Sequence, residues 1–233
     1  MTLNEKKHIM KQYDRDLNHL LSLLLTMGSL VQKQLHDALL VMKGNSEVSA
    51  RAVVEGDQQV NSMEVAVDEA CVTLIARRQP LADDLRFIIT ILKVASELER
   101  IGDSVDKMSQ TTLHDDVTIE KTLQDKIDVM AQDAIAMLHD TLRAFSSMSL
   151  EEAKNVYARD IKIDSRYQEI ITDAKIGMKT RADSVDSLLT AILAARAIER
   201  IGDRCQNICE FIYYYLKGED VRETEERVFE YEN

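Results

Sequence analysis

The 233 residues, 26.5 kDa, suffice for one large or two small domains, each able to bury its own core. A net charge of −12, from 29 basic and 41 acidic residues, opposes direct binding to nucleic acid or to an anionic bilayer surface. One Pro and seven Gly leave few helix breakers in a chain that is 45% apolar and 30% charged, so an all-α fold is expected.

The opening MTLNEKKHIMKQYDRD is too charged to read as a secretory leader. The longest apolar stretch, Leu20 to Val31, is broken by Ser22, Thr26, Gly28 and Ser29. It falls short of the roughly 20 residues a bilayer span needs, and reads as a buried helix segment. The first helix is expected to end at Lys43-Gly44-Asn45-Ser46, where Gly suits a C-cap and Asn or Ser the next N-cap. The second ends at Gln79-Pro80, with Pro placed in the first turn of the third. On the third helix Ile88, Ile91, Ala95, Leu98, Gly102, Val105 and Met108 step by three and four, one stripe toward a core. Polar residues Thr111 to Thr118 form a linker. Ser149 and Glu152 have capping-box spacing, and Arg181 to Ser187 supplies the start of the last helix. There Leu188, Ala191, Ala195, Ile198, Gly202, Cys205 and Cys209 repeat the earlier stripe. Beyond Gly218 the chain is acidic without an apolar period, and a mobile end is expected.

The chain repeats itself. Leu35-His36-Asp37-Ala38-Leu39 returns as Leu138-His139-Asp140-Thr141-Leu142 at a shift of 103, and Glu99-Arg100-Ile101-Gly102-Asp103 as Glu199-Arg200-Ile201-Gly202-Asp203 at a shift of 100. A tandem duplication of elongated three-helix bundles follows: 1–113, 114–218 and an acidic tail over 219–233. Its six helices, at roughly 25 to 35 residues each, would be about 40 to 50 Å long.

The carboxylates sit beside the apolar stripes. Asp57, Asn61, Glu64 and Asp68 share one face of the second helix; Glu99, Asp103 and Asp106 share one face of the third. The second half carries Asp160 and Asp164 opposite Glu199, Asp203 and Asn207. Like charges at these spacings cost a helix about 0.2 to 0.5 kcal/mol per pair, so compensation is expected. A divalent cation such as manganese, iron, zinc or magnesium would supply it. So would solvation with salt bridges to Arg100, Lys107, Lys162 or Arg200.

Other motifs point less far. His36 and His139 each precede an Asp, but no nucleotide-binding glycine loop accompanies them. A ferritin-like di-iron centre needs two Glu-x-x-His motifs, and only Glu5 to His8 fits. Cys205 and Cys209 read as buried packing, and with Cys71 make three cysteines, too few for a disulfide scaffold. A reducing cytoplasm suits them. Arg77, Arg78 and Arg86 flank one helix junction, either as a partner-facing patch or as charges neutralising local acids. No nucleophile with an adjacent base is identifiable.

The duplicated Glu-Arg-Ile-Gly-Asp, the Arg78-Gln79-Pro80 turn with Asp84-Leu85-Arg86, and Cys205-Gln206-Asn207-Ile208 followed by Glu210 together resemble the PhoU family of phosphate-uptake regulators over nearly the whole chain. The resemblance implies two similar three-helix bundles, a homodimer, and a non-catalytic negative regulator of the phosphate regulon. Such a protein would couple the ATPase subunit of the phosphate ABC transporter to the phosphate sensor histidine kinase, meeting the membrane only through partners. It also implies metal clusters on Glu/Asp-x-x-x-Asp pairs, matched here by Glu99 with Asp103, Glu199 with Asp203, and Asp160 with Asp164; Asp57 is followed by Asn61 instead. The runner-up expectation is a metal-dependent helical phosphohydrolase using the same carboxylates.

Overall fold

The computed structural model describes residues 3–43, 50–114, 119–181, 184–221 and 229, with side chains described from residue 11 onward except at 50, 51, 54 and 111–114. The expected break at Gly44–Ser46, the side chains of Glu5 and His8, and most of the tail lie outside them.

Long helices follow from long uninterrupted periodic stripes. In the first repeat α1 spans Leu3–Met42, α2 Ala50–Arg78 and α3 Ala82–His114, and all three pack on one another. Every member of the expected α3 stripe is buried, as are Leu20, Leu24, Met27, Val31 and Leu35 on α1 and Val60 and Val67 on α2. Helix α3 continues into the expected linker as far as His114. At its other end Pro80 lies in the connection, before the helix starts at Ala82. Gln79, turned to φ 47°, has already ended α2 one residue earlier.

In the second repeat α4 spans Lys121–Ser147 and α7 Val185–Lys217, but the rod between them is divided into α5, Leu150–Tyr157, and α6, Asp160–Thr180. Ser149 caps α5 as the capping-box spacing predicts, its hydroxyl accepting from the Glu152 amide at 3.2 Å. The interruption at Ala158 and Arg159 is held by side chains. Gln206 on α7 donates to the Tyr157 carbonyl at 3.2 Å, and Arg159 pairs with Asp140 on α4. It puts Asp160 in the first turn of α6, where a helix N-terminus favours negative charge. Its counterpart Asp57 is well inside α2.

The repeats meet along α1 and α3 against α4 and α7. The α3–α7 contact is antiparallel: Glu97 accepts from Arg204 at 3.3 Å and from Asn207 at 3.1 Å, while Lys93 lies 4.4 Å from the centroid of the Tyr214 ring and Phe87 packs on Tyr215. Helices α2 and α6 therefore flank the assembly, leaving one side of the α2–α3 and α6–α7 seams to solvent. Phe229 stacks on Tyr157 at 4.4 Å between ring centroids, so one residue of the acidic tail is packed against the second repeat. Among the described residues, no helix is long and apolar enough to cross a membrane.

Candidate functional site

The α2–α3 seam gathers the carboxylates of the first repeat. Burial, then the charges of Asp103, Glu64 and Asp57, raise the Glu99 carboxyl above its usual range. Burial, then Asp57 and Asp103, do the same to Asp106. Burial and Asp68 raise Glu64. Acids from two helices thus share one electrostatic environment, with Asp68 at its edge acting on Glu64. Compensation by protein cations is partial: Lys107 reaches Asp103 at 3.1 Å, but Arg100 is turned to Glu97.

Amides supply the rest. Asn61 donates to Asp57 at 3.1 Å, and Gln34, buried on α1, points its Nε2 toward both Asp57 and the Gly102 carbonyl at 3.4 Å. Gln34 was not among the expected site residues. Its signal in the sequence is a polar side chain set between Val31 and Leu35 on the apolar face of α1.

The α6–α7 seam of the second repeat is drier. Asp160 is 3% exposed, and its carboxyl is pushed up to about 7 by burial, then by Asp164, Asp203 and Glu199. Burial and Asp203 raise both Asp164 and Glu199, and Arg196 donates to Glu199 at 2.5 Å. Under the 103-residue shift Gln34 corresponds to Met137, which is buried and has no N–H to offer. Asn207 donates across to Glu97 of the other repeat, so its amide N–H is committed to the bundle interface.

The repeat-matched glycines Gly102 and Gly202 both lie where another helix's side chains come close. A Cβ on Gly202 would collide with Asp160 Oδ1, whereas on Gly102 it would meet Gln34 Oε1 at 3.2 Å and Asp57 Oδ1 at 3.4 Å. The expected close approach is therefore helix backbone against a carboxylate at Gly202, and against Gln34, Val60 and Asp57 together at Gly102.

These seams have the chemistry a hard cation requires. Asp106 Oδ1, Asp160 Oδ1, Glu199 Oε2 and Gln34 Oε1 are buried without a hydrogen-bond partner, and all four are oxygens. Among the described residues, no three His, Cys, Asp or Glu side chains stand close enough to hold an ion as placed. Holding one would require side chains to turn toward each other.

The three arginines do not form one patch. Arg78 pairs with Asp16 at 2.9 Å, and Arg86 donates to the Tyr215 carbonyl at 3.1 Å beside Gly218, fixing the end of α7. Arg77 is exposed. Cys71, Cys205 and Cys209 are buried and free, and burial raises their thiols, to about 12 for Cys71 and Cys205. His139 is within 3.2 Å of Asp140.

The family model described as the PhoU domain matches the chain twice, over residues 24–112 and 127–212, so that each match takes in one seam. The chain belongs to the PhoU family. It is 46% identical over 220 residues to the phosphate-specific transport system accessory protein PhoU of Edwardsiella tarda, covering 94% of this chain and 90% of that one. To the protein of the same name from Escherichia coli (strain K12) it is 45% identical over 221 residues, 95% and 92% of the two chains. The crystal structure of PhoU from Pseudomonas aeruginosa superposes with a TM-score of 0.82 at 33% identity, covering 89% of this chain and all of that one. PhoU from Streptococcus pneumoniae, described as a phosphate transport system regulatory protein, gives 0.82 at 27% identity over 90% and 99%. An all-α, twice-repeated PhoU fold is thus common to them.

Proposed function

We propose that this chain is a regulatory accessory protein of a phosphate transport system. It acts in the cytoplasm, as a homodimer, as an adaptor between the ATPase subunit of the phosphate ABC transporter and the phosphate sensor histidine kinase. It lowers kinase output and restrains uptake when phosphate is plentiful. The observation that carries this reading is the likeness over more than nine-tenths of the chain to proteins named as accessory components of phosphate-specific transport. Those names are of accessory and regulatory proteins, and nothing in the seams supports the hydrolase alternative.

The carboxylate seams are the part of the molecule that would set its state. Asp57, Glu64, Glu99, Asp103 and Asp106 in one repeat, and Asp160, Asp164, Glu199 and Asp203 in the other, are the residues that would hold manganese, iron, zinc or magnesium, with Asn61, Asp68 and Asn207 at the margins. A bound cation would neutralise charge that the chain cannot neutralise alone. Buried unpartnered oxygens support this assignment. The protein's own contribution is positional: Gln34 and Asn61 orient Asp57, and Arg196 orients Glu199. Cation or partner binding then shifts the population of docking-competent chains in proportion to its differential affinity for the two states.

Affinity pull-downs of the tagged chain from cells grown at high and low phosphate test the adaptor role. Expected is recovery of the transporter ATPase and the sensor kinase, with more complex at high phosphate. Recovery of neither partner under both conditions contradicts the role.

A further inference from the structure

A cleft of about 250 Å³ between α1 and the end of α2 shares no residue with the carboxylate seams. Gln12, Asp16, His19, Thr73, Arg77 and Arg78 line it over an apolar back. The second repeat has the corresponding cleft, about 240 Å³, lined by Glu120, Thr122, Asp173, Ile176, Thr180 and Arg181 among others. Duplication therefore supplies an internal comparison of one cavity with two linings.

What the clefts share is structural. Arg78 pairs with Asp16 at 2.9 Å, and Arg181 with Glu120 at 2.7 Å. At the 103-residue shift Arg78 falls on Arg181, the two pairing acids lie one residue out of register, and four further positions differ in kind. Arg77 stands against Thr180, His19 against Thr122, Thr73 against Ile176, and Ala70 against Asp173. The first cleft has a guanidinium and an imidazole where the second has threonine hydroxyls, and it lacks the second's Asp173 carboxylate. In the second, Asp173 is held by Lys126 at 2.6 Å.

The one acid in the first cleft is already satisfied. Gln12 donates to Asp16 Oδ1 at 3.0 Å, while Arg78 gives Nε and Nη2 to Oδ2. Among the described residues, Arg77 makes no direct ion pair, although its charge acts on Asp16 from farther off than Arg78 does. Arg77, the remaining Nη1 edge of Arg78, Thr73 and His19 thus present more donors than one carboxylate accepts. A phosphate, with three or more terminal oxygens and a charge near −2, matches forked guanidinium groups.

We propose that the α1–α2 cleft of the first repeat binds a small phosphate-bearing anion, with Arg77 as the principal ligand, and that the equivalent cleft of the second repeat does not. The site is separate from the cation seams and does not depend on their occupancy.

Calorimetric titration of the metal-free full chain with inorganic phosphate, and separately with glycerol phosphate, tests this. Cations in the seams would themselves attract phosphate, so they are removed first. Expected is one saturable site per chain, with Kd on the order of 1 mM or tighter. Arg77→Gln, at an exposed position, should weaken it about 10-fold or more, while Arg181→Gln in the second cleft leaves it unchanged. Tighter binding of the ester supports the site with an esterified ligand as its source; tighter binding of inorganic phosphate supports it with the free anion. No saturation of the unaltered chain by about 10 mM of either ligand overturns the proposal. So does equal binding by the Arg77→Gln chain.

Discussion

Gly202→Ala is expected to destabilise the protein by about 1 to 2 kcal/mol in a urea or thermal melt, against the helix propensity that would ordinarily reward it. Ala is about 1 kcal/mol better than Gly inside a helix. Here the added methyl meets Asp160 Oδ1, a buried oxygen in the first turn of α6, in a space it already fills. Overpacking of such a site costs about 1 to 3 kcal/mol, and the shift also disturbs a carboxyl crowded by Asp164, Asp203 and Glu199. Gly102→Ala is the control. Its nearest neighbours are Gln34 Oε1 at 3.2 Å and Val60 Cγ1 at 3.3 Å, contacts that need give only a few tenths of an ångström, so its effect should stay within about 1 kcal/mol of zero. Equal melts for the two variants would show that the glycines serve some purpose other than housing an aspartate.

Asp160→Asn is expected to stabilise the metal-free protein at pH 8 and to leave it unchanged near pH 3. Folding raises the Asp160 carboxyl from 3.8 to about 7, because burial and three neighbouring acids oppose its charge. The folded state therefore holds a proton that the unfolded state gives up more readily. Its contribution is fully present below about pH 4 and is lost as pH rises through 7. The full loss is on the order of 4 kcal/mol, which the neutral amide avoids. Asp164 and Glu199, also raised, act in the same direction. Denaturant melts at intervals from pH 3 to pH 8 check this. Unfolding curves of the two proteins that stay parallel across that range would contradict the burial of an uncompensated acid. A cation in the seam should offset the alkaline loss, since it favours the ionised carboxylate.

Much of this arrangement is legible in the sequence, and the remainder is not for identifiable reasons. The stripes of α3 and α7 are periodic because one face of each helix is dry, and the acids at neighbouring positions necessarily share a face. Ser149 and Glu152 fix a helix start through a local bond. By contrast, the break between α5 and α6 carries no Pro or Gly; it depends on Gln206 and Asp140, remote in the chain. The inequality of the two seams is likewise remote in origin. Asp57 and Asp160 occupy the same repeat position, yet one meets the amide of Gln34 and the other has no partner at Oδ1. That difference lies on the first helix of each repeat, where Gln34 corresponds to Met137. Asn207 looks like a member of the acidic face by spacing, but the α3–α7 crossing brings Glu97 to it first. Of the arginines near Pro80, Arg77 and Arg78 line one cleft while Arg86 is drawn to the end of α7, a division that the sequence does not show.

The most direct measurement is the metal content of the purified chain, by elemental analysis after loading with divalent cations and gel filtration. The unaltered protein is compared with a variant carrying Glu99→Ala, Asp103→Ala, Glu199→Ala and Asp203→Ala. Retained divalent metal in the first and its loss from the second, with helical content preserved, is the expected result. Equal metal in both chains, or none in the unaltered chain, would contradict the assignment of the duplicated carboxylate seams as cation sites.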